Sequence, residues 1–124
     1  MKKSVPFEVF GANQFIYFDI MRLAQLEQAM GRSIYQIISG GEAGINFCLN
    51  ALTVGLRHHY PKASPQLFAE KIGEYLEEGG ELDDIAVLIV KAIILSGIFG
   101  KEIMDDDKEN GEEKNAPATA EPSE

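Results

Sequence analysis

Three groups of residues in this chain are of a type that binds or reacts: Cys48, the pair His58-His59, and the carboxylates Glu77, Glu78, Glu81, Asp83 and Asp84. A cysteine acts as a nucleophile or metal ligand when a nearby cation lowers its pKa. Cys48 lies in the run Ile45-Asn-Phe-Cys-Leu49 with no basic neighbour, so it reads as a buried thiol. Adjacent residues on a helix point about 100° apart, so His58 and His59 do not grip one metal. At a helix end they suit free carbonyls or solvent. The five carboxylates flank Gly79-Gly80, but lack the alternating oxygen spacing of a calcium loop. They read as a solvated loop and helix start. No nucleophile with its base, no metal-ligand set and no phosphate-cradling loop follows, so no catalytic residue, metal or cofactor is expected and the chain does not read as an enzyme.

The elements that carry these residues are helices. Asp19 is placed to cap a first helix whose Ile20, Leu23, Leu26 and Met30 recur at helical spacing before Gly31 stops it. Ser33 and Gln36 then form a second start of the capping-box kind. A third helix is expected from about Glu42 to Tyr60, with Ile45, Cys48, Leu49, Leu52 and Leu56 on one face. Phe47, Ala51 and Val54 make its other face apolar too, which marks a central, buried helix. Ser64-Pro65 opens a fourth, with Phe68, Ile72, Tyr75 and Leu76 inward. A fifth starts near Leu82 and is expected to reach Phe99, with Asp83 and Asp84 favoured by the helix dipole. Ahead of all of these, residues 5–18 alternate as a small β element about a Gly11-Ala-Asn13 turn.

The chain is long enough for one small domain: 124 residues, 45% hydrophobic, without tryptophan. Residues 101–124 hold nine acidic and three basic side chains; the first hundred hold eleven and eight, nets of −6 and −3 within the −9 of the whole. The division is therefore a helical domain over 1–100 and an acidic segment over 101–124, which is too poor in apolar side chains to fold and is expected to be disordered. Net negative charge disfavours nucleic acid. The single cysteine fits a reducing cytosol, and Met1-Lys-Lys3 is followed by no apolar leader. The apolar run Ile85–Phe99 is interrupted by Lys91 and falls short of the roughly 18–20 residues that cross a bilayer, so no membrane partner is expected. Ile93, Ile94, Leu95, Ile98 and Phe99 nevertheless point all round a helix and exceed what one small core takes. Ile94, Ile98 and Phe99 are thus candidates for a partner surface, with Phe99, beside the acidic segment, the more exposed of Ile94 and Phe99.

The stretch from Phe18 to Ser33 resembles the tail assembly chaperones of long-tailed bacteriophages and phage-like gene transfer agents. Their pattern of a Phe-Asp opening, a helix with leucine, glutamate and a glycine stop, then a serine-led helix falls here on Phe18, Asp19, Leu26, Glu27, Gly31 and Ser33. The likeness continues through the helix ending Val54-Gly-Leu-Arg-His-His-Tyr-Pro61 and through Pro65 to Gly80, over roughly residues 7–100. The resemblance implies a protein of the host cytoplasm, absent from the mature virion. It would hold the tape-measure protein soluble and help recruit tail-tube protein through a longer, frameshifted form. Glu113-Lys114-Asn115 has a codon choice that spells a slippery heptamer. It also adds Glu27 to the candidate partner residues, against the plainer reading of a surface carboxylate paired one turn away. Self-association stays open. The alternative is an acidic helical interaction or regulatory protein unrelated to tails, a DNA mimic included.

Overall fold

Val5–Pro6 (β1) and Phe15–Ile16 (β2) pair antiparallel, Val5 opposite Ile16 and Pro6 opposite Phe15, in a computed structural model that describes residues 3–100. Asn13 turns the hairpin at φ 64°, its N–H donating to Glu8 Oε2 at 3.0 Å. A ladder this short does not stand alone. Val5, Phe7, Ile16 and Phe18 are buried, and the hairpin rests on the helices behind it.

Five helices follow: α1 (Ile20–Met30), α2 (Ile34–Ser39), α3 (Ile45–Gly55), α4 (Pro65–Glu77) and α5 (Leu82–Leu95). The expected mainly α architecture with an N-terminal β element is the one observed. Asp19 Oδ1 accepts the Arg22 N–H at 2.8 Å, and Gly31 leaves α1 at φ 71°, its N–H returning to the Glu27 carbonyl. Leu23 and Leu26 are buried, with Met30 packed beside them, but Ile20 is 70% exposed. At 100° per residue Ile20 lies about 90° round from that line, and does not belong to the stripe. Ser33 Oγ accepts from Gln36 N at 3.1 Å and Ser64 Oγ from Leu67 N at 3.1 Å, as their spacing requires.

Helix α3 is central: α1, α4 and α5 all pack on it, through the buried Phe47, Cys48, Ala51 and Leu52. It is shorter at both ends than expected. Gly44 caps it, so Ile45 sits at the rim, half exposed, rather than on the inner face. At the other end, continued helix would send the His59 N–H to the Gly55 carbonyl. That carbonyl instead accepts from Tyr17 N at 3.1 Å, and His59 N turns to the Leu56 carbonyl. The hairpin ends the helix. A Cβ on Gly55 would stand 2.7 Å from Ile16 Cγ1 and 2.9 Å from Phe18 Cζ, so only glycine permits this approach.

On α4, Phe68 and Ile72 face inward while Leu76, expected with them, is 42% exposed in the last turn. Helix α5 begins where Asp84 Oδ2 accepts from Glu81 N at 3.1 Å and from the Tyr75 hydroxyl at 2.6 Å, and it buries Ile85, Ile89, Ala92 and Ile93. It stops at Leu95, four residues before Phe99, because the chain turns through Ser96 and through Gly97 at φ 93°. No charged or polar side chain is buried among the described residues, and no helix is long and apolar enough to cross a membrane. The expected disorder of 101–124 lies outside the described residues.

Candidate functional site

Glu27 reaches across the α1–α2 turn. Its Oε2 accepts the N–H of Ile34 at 2.8 Å, satisfying a first-turn donor of α2 that has no partner within its own helix. The carboxylate is half-buried and works inside the fold, a role its spacing along α1 did not reveal. The residue after Ile34 is Tyr35, 66% exposed, with its ring edge-on to Phe99 at 6.1 Å between centroids. Ile98 beside it is 36% exposed and Ile94 half-buried. Glu27 therefore fixes the start of the helix that sets Tyr35 against the end of α5. Of the residues singled out in sequence, Phe99 meets α2 through Tyr35, a residue that went unnoticed.

Phe99 is expected to be the more exposed of Ile94 and Phe99. Instead it is half-buried, like Ile94, and packs against the core. The turn after Ser96 folds it back under Tyr35. Tyr35 is exposed over the half-buried Phe99, and Ile98, next to Phe99 in the chain, is exposed as well.

At the other end of the molecule the two histidines act together, on main chain rather than metal. Phe15 N–H donates to His59 Nε2 at 3.0 Å, and the Phe15 carbonyl meets His58 Nε2 at 2.9 Å. The Phe15 ring stacks on His58 at 4.5 Å and stands edge-on to His59 at 4.8 Å. Arg22 Nη1 donates to His58 Nδ1 at 3.0 Å and to the Tyr17 carbonyl at 3.2 Å. An arginine only donates. His58 Nδ1 is therefore the acceptor, and Nε2 carries the proton given to Phe15. Burial holds the His58 pKa below its ordinary value; the Phe15 carbonyl pulls the other way, while His59, Arg22 and Arg57 add to the lowering. Burial and then Arg57 lower Arg22 as well.

Cys48 is fully buried and its thiol is pushed up to about 11 by burial and by Asp83, which leaves it protonated and unreactive. Among the described residues, no cluster of three or more histidine, cysteine or acidic side chains is placed to hold a metal ion. Comparison with family models, with curated proteins and with solved structures finds no match to this chain.

Proposed function

We propose that this chain is a tail assembly chaperone of the long-tailed phage kind, acting by binding and not by catalysis. It covers apolar stripes of the tape-measure protein until the tail tube encloses them, and a longer form brings in tube protein. The observation that carries the reading is the apolar surface at the end of α5: exposed Tyr35, on a helix start pinned by Glu27, over Phe99, whose chain neighbour Ile98 is also exposed. An amphipathic helix laid on such a surface buries its own apolar face, which is what an unsheathed tape-measure helix needs. The order of motifs from Phe18 to Gly80 supports the same reading. Co-expression with a tape-measure protein encoded near this gene is the test. The chaperone is expected to move that protein from the insoluble to the soluble fraction and to co-purify with it. A tape-measure protein that stays insoluble and does not co-purify, or a gene with no tape-measure gene near it, rejects the reading.

One observation favours the alternative of an acidic interaction protein. Seven of the eleven acidic residues in the first hundred fall between 70 and 84, and all seven are exposed. The acidic α4–α5 corner is thus on the folded body and not only on the terminal segment. A basic protein captured through Glu74, Glu77 and Glu78 in the absence of any tail protein would favour that alternative.

A further inference from the structure

Lys91 is an isolated charge on the outer side of α5. Every other side chain from Ile85 to Leu95 is apolar. The residues three and four places from Lys91 are Leu88 and Val87 before it and Ile94 and Leu95 after it, so its own helix offers it no carboxylate. Among the described residues the ion pair that forms joins Arg32 to Glu42, elsewhere. Asp83, Val87 and Lys91 are spaced by four and make one row along α5, with Val90 and Ile94 in the row beside it. At 100° per residue Val87 points directly away from the side that Ile85, Ile89, Ala92 and Ile93 bury. It is 62% exposed, Asp83 and Lys91 on either side of it are exposed, and Val90 and Ile94 are half-buried. The result is an apolar strip with an acid at one end and a base at the other.

We propose that this face of α5 pairs with the same face of a second copy of the chain, antiparallel and two-fold about Val87. Asp83 and Lys91 each lie ~6 Å along the helix from Val87, in opposite directions. A dyad at Val87 therefore brings Asp83 of each copy level with Lys91 of the other, and lays valine on valine between the two ion pairs. Parallel pairing in the same register sets acid on acid and base on base. The charge order thus selects a second copy, in one orientation. Interleaving rows of this spacing is the commonest way two helices pack, at a crossing angle of about −50°, and it keeps the two Asp83–Lys91 rows side by side. A place in the first turn accounts for Asp83 alone, but for neither the lysine nor the exposed valine between them. One helix face is small beside the roughly 1,600 Å² of a standard interface, and exposed ion pairs are individually weak. The pair is therefore a concentration-dependent equilibrium and not a permanent dimer. It leaves out Tyr35 and Phe99, and the proposal does not depend on the tail-assembly reading.

The test is sedimentation equilibrium of the full chain over a concentration series. It is run at about 0.15 M salt, where the net charge of −9 on each copy is screened beyond about 8 Å. The parent is expected to pass from monomer to dimer. Lys91→Asp and Asp83→Lys each set like charges together at both ends of the strip, and each is expected to stay monomeric where the parent pairs. Their equal mixture restores both acid–base pairs and is expected to regain the parent's dimer. Melting curves of both variants check that they fold. A second measurement does not need them. Val87→Cys sits on the dyad and is expected to give a covalent dimer under mild oxidation, much faster than Ile20→Cys, which is 70% exposed on α1. Cys48 takes no part, being buried and protonated. A parent that is monomeric throughout, single variants that pair as the parent does, a mixture no heavier than its parts, or equal crosslinking at positions 20 and 87 would overturn the proposal.

Discussion

The main-chain N–H of Phe15 donates to His59 Nε2 at 3.0 Å, across 44 residues of sequence. His58 Nε2 takes the carbonyl of the same residue at 2.9 Å, so two imidazole edges occupy the place of a neighbouring strand on β2. The cost of leaving a strand's N–H and carbonyl unpaired is met by side chains from the end of α3. The same residues cover the Phe15 ring, and the hairpin is tied to α3 both at Phe15 and at Gly55.

His58 accepts from Arg22 only as the neutral imidazole, which sets a pH dependence. The folded-state pKa of His58 is lowered, burial being the main cause. The unfolded chain takes up its proton near pH ~6.5, the folded chain only at a lower pH. Between the two the unfolded state binds more protons, so stability falls as pH falls. The contribution is complete above about pH 6.5 and is lost on passing through the folded pKa. Urea midpoints are expected to drop through this window, and His58→Asn to flatten the drop. Equal pH slopes for the two proteins would show that His58 is not the group responsible.

Gly55→Ala tests the other tie. The added Cβ meets Ile16 Cγ1 at 2.7 Å and Phe18 Cζ at 2.9 Å, both on buried side chains with little room to shift. Overpacking of this kind costs about 1–3 kcal/mol. A helix-interior glycine on an open surface would instead gain stability on becoming alanine. The sign of the change in denaturant midpoint therefore decides between the two environments.

What could be read in the sequence was whatever depends on neighbours within a few residues. Asp19, Ser33 and Ser64 cap helices because a cap bonds only two or three residues ahead, and Gly31 stops α1 for a similarly local reason. Leu52 sits in a central helix because both faces of that helix are apolar. Where distant segments decide, local spacing misleads. The end of α3 is set by Tyr17 taking the Gly55 carbonyl, and the histidines find Phe15 rather than their own helix terminus. Of the candidate surface, Ile98 was legible as surplus apolar area. Tyr35 was not, because α2 is too short for its outward face to show as a pattern.

Glu27 separates a role in the fold from a role in binding. Glu27→Ala removes the acceptor for Ile34 N–H and is expected to cost about 0.5–2 kcal/mol, the range for losing a helix-start acceptor. Glu27→Gln keeps a carbonyl oxygen in reach and is expected to cost less. Denaturant melts of both variants read this directly. Unchanged stability in Glu27→Ala, with capture of the tape-measure protein lost, would move the residue from the fold to the interface.

The decisive comparison lies at the end of α5, where one substitution should act on stability and another on capture. Phe99 packs on the core and under Tyr35, so Phe99→Ser is expected to lower the melting temperature. It is half-buried, so the loss is part of the about 1.5–3 kcal/mol that full burial of such a side chain contributes. Tyr35 and Ile98 are the exposed large apolar side chains next to Phe99, one by ring contact and one in sequence, at 66% and 36%. Replacing both with serine is expected to leave the melt within about 0.5 kcal/mol of the parent, as for surface changes generally. On the proposed function, the same double variant is expected to leave less tape-measure protein soluble on co-expression. Ile94→Ser, on a half-buried side chain of α5, is expected to fall between the two. If the Tyr35 and Ile98 double variant melts normally and still keeps the tape-measure protein in solution, this surface is not the binding site proposed for it.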